Sequence, residues 1–167
     1  MSYTNKVMEY FKEPKNYGKM ENPDAIGKVG NPICGDVMWL YIKVAKNEEG
    51  EEFIKDISFE TFGCVAAIAT SSMITEIAKG KTIEEAMEIK KDDIVNSLDG
   101  LPPAKVHCSV LASGALAEAI YDYFSKNNRK IPEKLEKEHK KLEKEKLEIM
   151  EKYEDWMEAE KKDNEKE

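Results

Sequence analysis

Val37-Met38-Trp39-Leu40-Tyr41-Ile42-Lys43-Val44 is the most strand-like stretch of this 167-residue chain. Its β-branched and aromatic side chains suit a pleated, half-buried surface. Downstream, the polar run 46–52 reads as a turn, and residues 53–62 place Ile54, Ile57, Phe59 and Phe62 in one or two further strands. Neighbouring strands with short links predict a three-stranded antiparallel sheet. Upstream, residues 18–32 are rich in Gly, Pro and Asn and read as an irregular loop. Before them, residues 3–12 can form a short amphipathic helix that must end before Pro14.

From Cys64 the period changes. Ile68, Met73, Ile74 and Ile77 recur at helical spacing up to a C-capping Gly80. Thr82-x-x-Glu85 is a capping box opening a second helix through Ile89. Residues 92–98 suggest a third short helix, with Asp92 and Asp93 at its start. After the stiff Leu101-Pro102-Pro103, a long helix over about residues 105–126 carries Val110, Leu111, Leu116, Ile120, Tyr123 and Phe124 at steps of three and four. Strands followed by helices imply an α+β fold with helices covering one sheet face, Trp39 and Tyr41 packing a sheet face.

Composition changes again after Asn127-Asn128. Glu and Lys dominate residues 131–167, and Leu135, Leu142, Ile149 and Trp156 recur every seven residues. This is either a weak coiled-coil seam or a solvated helix held by Glu–Lys pairs four apart. We therefore divide the chain into a domain over residues 1–127 and a charged helical C-terminal extension over 128–167. The extension carries no evident chemistry, its His139 is expected to be exposed, and it is a candidate for self-association into a homo-oligomer.

Hydrophobic residues make up 41% and charged residues 36%, with a formal net charge of -8. The charge argues against nucleic acid as a partner, since no basic face is available to neutralise phosphates. No stretch approaches the roughly 20 apolar residues that span a bilayer, and residues 1–13 lack a secretory apolar core. Both point to a cytoplasmic protein with no membrane partner.

In that compartment three widely separated cysteines argue against a disulfide framework. Cys34 ends a loop in Pro32-Ile33-Cys34-Gly35-Asp36. Cys64 follows Phe62-Gly63 at a strand-to-helix junction, and Cys108, beside His107, stands in the first turn of the long helix. A packing cysteine more often sits within an apolar stripe. A thiol at a helix start feels unpaired amides that favour the thiolate. Three thiolates with Asp36 or His107 as a fourth ligand would suit Zn²⁺ or an iron–sulfur cluster. A single nucleophilic cysteine and plain packing stay open, because no Cys-x-x-Cys pair is present. Lys105, ahead of the His-Cys pair, could steer an anion or a persulfide.

Three segments carry a family resemblance: Ile33-Cys34-Gly35-Asp36-Val37-Met38, Phe62-Gly63-Cys64 with Ala66-Ala67-Ile68-Ala69, and Leu101-Pro102-Pro103-Ala104-Lys105-Val106-His107-Cys108-Ser109. In order and spacing, residues 2–127 resemble the IscU/NifU-type iron–sulfur cluster assembly scaffolds, which have a SufE/NifU-like fold. The resemblance implies a non-enzymatic scaffold. It would build a [2Fe–2S] cluster on Cys34, Cys64 and Cys108 from iron and persulfide sulfur supplied by a cysteine desulfurase, then pass it to acceptor apo-proteins. Asp36 matches the family aspartate that governs cluster release or acts as a ligand, and His107 the histidine before the third cysteine. Residues 101–105 match the segment that an Hsp70-type chaperone grips in bacterial relatives. Zn²⁺ could occupy the cluster-free form, and the alternative reading is a zinc-binding sulfurtransferase or persulfide carrier. His107, and the lack of an insertion, set the chain apart from the zinc-associated SufU branch. Val65, Ala104 and Ser113-Gly114 depart from the residues common in the family.

Overall fold

The computed structural model describes residues 2–31 and 35–164. Helix α1 (Asn5–Lys12) begins at Thr4, whose hydroxyl accepts the Val7 N–H at 3.1 Å and donates to the Leu98 carbonyl at 2.6 Å. That second bond ties the first helix to a distant part of the chain. Strands β1 (Ala25–Gly30), β2 (Val37–Lys46) and β3 (Glu52–Phe62) follow, forming an antiparallel three-stranded sheet in the order β1-β2-β3.

The sheet has the expected size and sense, but one of its strands comes from elsewhere. The stretch 18–32, read as a loop, contains β1, and residues 53–62, read as one or two strands, form part of one. The inward positions of β1 are Ala25, Gly27 and Val29, of which the first two have poor strand propensity. Their smallness has a packing cause. A Cβ at Gly27 would lie 2.1 Å from the Ala115 carbonyl oxygen and 2.6 Å from the Ala119 nitrogen, so only glycine lets the long helix lie this close to the strand. That helix also caps the sheet edge, where the Asp122 carboxylate accepts the Ile26 N–H at 2.9 Å.

The remaining elements are α2 (Val65–Ala78), α3 (Ile83–Met87), α4 (Lys91–Ser97), a 3₁₀ turn at Pro103–Lys105, α5 (His107–Lys126) and α6 (Glu133–Asn164). The predicted capping box is present: Thr82 and Glu85 exchange side-chain-to-backbone hydrogen bonds at the start of α3. Helices α2 and α5 cover the inner sheet face. There Met38, Leu40, Ile42, Ile57 and Phe59 are buried with Ala66, Ala69, Met73 and Ile74 of α2 and Ala112, Ala115, Ala119 and Ile120 of α5. Alanine rows at the contacts allow close approach, so the layer can be dense without large side chains. On the outer face Tyr41 is buried and donates to Glu60 at 2.6 Å, whereas Trp39 remains 45% exposed with Lys28 above its ring.

Helix α6 folds back antiparallel along α5. Leu135 is buried at 5% exposure, and a Cβ at Gly114 would sit 3.8 Å from Leu142 Cδ1. His139, expected to be exposed, is not: its Nδ1 lies 2.9 Å from Glu118 Oε1 of α5, and its ring stacks on Tyr121 at 3.7 Å and 6°. Glu–Lys pairs four apart, Glu133–Lys137 and Glu136–Lys140, line the solvent side. No helix among the described residues is long and apolar enough to cross a membrane.

Candidate metal centre

The antiparallel register of β2 and β3 builds the site. It pairs Val37 with Phe62, so the residues just before Val37 and just after Phe62 become neighbours at one end of the sheet. Asp36 and Gly63 meet there. A Cβ at Gly63 would lie 2.8 Å from Asp36 Cγ and 2.8 Å from Ala67 Cβ, so the missing side chain is the space that the carboxylate occupies. The 31–36 loop is closed by hydrogen bonds from Asn31 N–H to the Asp36 carbonyl (2.8 Å) and from Gly35 N–H to the Asn31 carbonyl (2.9 Å). Gly35 takes a φ of +75°, which a side chain would oppose. Cys34, the first predicted ligand, falls inside this loop but lies outside the described residues.

The other two cysteines sit at helix N-termini, as their sequence context suggested. Cys64 is the N-cap of α2 and makes no side-chain capping bond, and Cys108 is the second residue of α5. The two helices are fastened together at this end by Thr70, whose hydroxyl donates to the Cys108 carbonyl at 3.3 Å. Residues separated by 44 positions are thereby brought together: Cys64 Sγ lies 3.8 Å from Cys108 Sγ, with no disulfide between them. Asp36 Oδ2 is 4.0 Å from each sulfur, and His107 Nε2 is 3.6 Å from Cys108 Sγ. One ligand atom from each of Asp36, His107 and Cys108 lies within 4.8 Å of the others.

Burial is graded across the set. Cys108 and Asp36 are buried, while Cys64 and His107 are partly exposed, so the site opens to solvent on one side. Lys105, in the 3₁₀ turn, is partly exposed. Its ammonium is pushed above the usual lysine range, chiefly by the nearby Cys64, with Tyr3, Cys108 and Asp36 adding to the effect. It is a cation placed beside the thiols and the carboxylate, and sequence reasoning singled it out only weakly because a solvated lysine near a helix start is ordinary. Two thiols, a carboxylate and an imidazole converging on helix N-termini form a donor set for a soft or borderline transition metal. The ligands come from a loop and two helix starts, and the site is open on one side. The fold and site thus define a small α+β protein with an accessible, thiol-bearing group of candidate metal ligands.

This chain belongs to the NifU-like N terminal domain family, whose sequence profile matches residues 2–130. It is 57% identical over 145 residues to iron–sulfur cluster assembly scaffold protein IscU 1 of Archaeoglobus fulgidus, covering 85% of this chain and 92% of that protein. With the IscU scaffold protein of Escherichia coli K12 it shares 49% identity over 133 residues, 78% of this chain and the whole of that one. Among solved structures it is similar to a SUF-system iron–sulfur cluster assembly scaffold from Fervidobacterium islandicum. That match has a TM-score of 0.56 and 28% identity, over 71% of this chain and 96% of that one. A NifU-like N-terminal structure from Brucella abortus, at 20% identity and TM-score 0.57 over 74% of this chain and 94% of that one, shares the fold.

Proposed function

We propose that this chain is an iron–sulfur cluster assembly scaffold, on which a [2Fe–2S] cluster is built and from which it is handed to acceptor apo-proteins. The cluster is its cargo. Cys34, Cys64 and Cys108 supply thiolate ligands, and Asp36 or His107 the fourth. A cysteine desulfurase delivers sulfur as persulfide, which iron and a reductant convert to bridging sulfide. Residues 1–127 form the scaffold domain and 128–167 an extension, the protein works in the cytoplasm, and residues 101–105 present a chaperone segment. The observation that carries the reading is the 3.8 Å approach of Cys64 and Cys108, flanked by Asp36 and His107, at an open end of the fold.

The mixed donor set suits a carrier better than a permanent holder. Thiolates bind iron strongly, while a carboxylate or imidazole in one position is a weaker partner that leaves one side exchangeable. Partial exposure of Cys64 and His107 gives a partner protein access to that side. Anaerobic reconstitution with iron and a desulfurase tests this. A coloured protein with thiolate-to-iron charge-transfer bands and two irons per cluster supports it, and loss of colour in Cys64→Ser and Cys108→Ser variants ties the cluster to these residues. A second reading, a zinc-binding persulfide carrier, draws on the compact Asp36, His107 and Cys108 group. A colourless protein that binds one zinc and passes on persulfide without forming a cluster would replace the scaffold reading with that one.

A further inference from the structure

The two edges of the sheet are finished differently. Along β3 the chain covers its own backbone. Phe59 donates to the Asn16 carbonyl and accepts from the Gly18 N–H, Ile54 donates to Lys81 and accepts from Gly80, and the Ile57 N–H is taken by the Asp56 carboxylate. On β1 the Ile26 N–H is capped by Asp122 of α5, so it points away from β2. Strand alternation then puts the N–H and C=O of Lys28 and Gly30 on that same outward side, while Ala25, Gly27 and Val29 face Ile42, Leu40 and Met38. Among the described residues these four groups meet no hydrogen-bond partner. A free edge is commonly blunted by a charged side chain standing over it. Lys28 does not stand there: its ammonium lies over the Trp39 ring, 5.2 Å from the centroid, on the sheet face. This part of the edge is open.

The open edge borders a groove of about 650 Å³ between β1 and α6. Lys28 and Gly30 line one side, Tyr121 of α5 lies between, and Leu142 and Lys146 of α6 line the other. Beside Gly30, which has no side chain, the groove reaches Val37 and Trp39 on the outer sheet face, both half-exposed. We propose that an extended segment of a partner protein docks here as a fourth, antiparallel strand, with an apolar residue opposite Gly30 and an acidic one opposite Lys28. Unpaired backbone groups two residues apart are what an added strand recognises. An antiparallel neighbour exchanges two N–H···O bonds with Lys28 and two with Gly30. Helix α6 selects a slender occupant: because it runs along the groove, a single chain enters where the edge of a second sheet does not. The side chains follow from the register. The residue opposite Gly30 shares its face with Val37 and Trp39, and the residue opposite Lys28 meets an ammonium. Lys28 and Lys146 make no ion pair among the described residues, so the groove offers two cations to a carboxylate. Gly30 leads directly into the 31–36 loop, so the docked segment ends beside the thiol end. The inference does not depend on what the thiols bind.

The probe is the peptide acetyl-Thr-Ile-Val-Glu-Gly-Thr-amide, in which antiparallel pairing sets isoleucine opposite Gly30 and glutamate opposite Lys28. Titrated into the ¹⁵N-labelled, cluster-free full-length chain, it is expected to shift the Lys28 and Gly30 amides downfield and to protect them from hydrogen exchange. N-methylation of the peptide's glutamate removes an edge bond and should raise Kd about tenfold or more. N-methylation of its valine, whose N–H points away from β1, should change Kd by less than about threefold. Both modifications leave the protein untouched, so folding is not in question. Charge gives a second measurement. Lys28→Glu, checked by circular dichroism, should weaken binding about threefold to fivefold, and a peptide with lysine in place of glutamate should restore it. Four results would each overturn the inference: no change at Lys28 and Gly30 at millimolar peptide, equal losses from the two N-methylations, a Kd indifferent to Lys28→Glu, or a peptide-free dimer in which these amides are already protected.

Discussion

The thiol end and the α5–α6 contact both gather ionisable side chains from distant parts of the chain, but they use them differently. At the α5–α6 contact, His139 reaches Glu118 at 2.9 Å and lies flat on Tyr121, so the two helices are held by direct side-chain contact. At the thiol end the sulfur contacts are longer, 3.6 to 4.0 Å, and backbone features set the groups side by side. Gly63 makes room for Asp36, a left-handed Gly35 shapes the loop, and two helix N-termini present the sulfurs. The first arrangement is a fastening. The second is a set of ligands positioned in advance for something to be bound between them.

Substitutions should separate the two regions. The largest effect is expected from Cys108→Ser or Cys64→Ser: iron and sulfide content after anaerobic reconstitution should fall to background while the circular dichroism spectrum stays native. A variant that still holds a full cluster would break the comparison at its strongest point. Gly63→Ala should cost about 1–3 kcal/mol through overpacking against Asp36, a fall in Tm of about 2–4 °C per kcal/mol, and should lower cluster yield as well. Asp36→Ala should keep the cluster but hold it longer, slowing transfer to an apo-ferredoxin by about tenfold. Unchanged lifetime and transfer would show that the carboxylate takes no part in release.

The fastening should respond in the opposite way. His139→Ala should cost about 1 kcal/mol and increase hydrogen exchange over residues 133–142, with cluster yield unaltered. The smallest effect is a pH dependence. Burial pushes the Glu118 carboxyl above its ordinary value of 4.5, outweighing the opposing influence of His139. The folded state therefore holds this proton more tightly than the unfolded chain. The resulting stabilisation is complete below the unfolded value and disappears as pH rises through the folded one. Glu118→Gln should flatten that part of the Tm-versus-pH curve just above pH 4.5; an unaltered curve would mean that the Glu118 proton is bound equally in both states.

Much of the thiol end was legible beforehand because its signals are local. Junction positions for Cys64 and Cys108, the glycines beside Cys34 and Cys64, and the Pro-Pro run before α5 all act within a few residues, and the family resemblance rests on the same segments. Strand β1 was not legible. Ala25, Gly27 and Val29 have the composition of a loop and become a strand because β2 offers hydrogen bonds and α5 demands small residues beneath it. His139 was misjudged for a related reason: a histidine amid Glu and Lys looks solvated until a helix begun 32 residues earlier, at His107, is folded against it.

By itself, then, the order of residues determined the helices, the central strand β2 and the chemistry available, since periodicity, capping and residue type act at short range. Tertiary structure decided that Cys64 and Cys108 lie 3.8 Å apart, that a glycine-bearing stretch completes the sheet, and that the extension folds back along α5. Each of these depends on burying surfaces far apart in the chain, and such burial is a property of the whole fold rather than of any window within it.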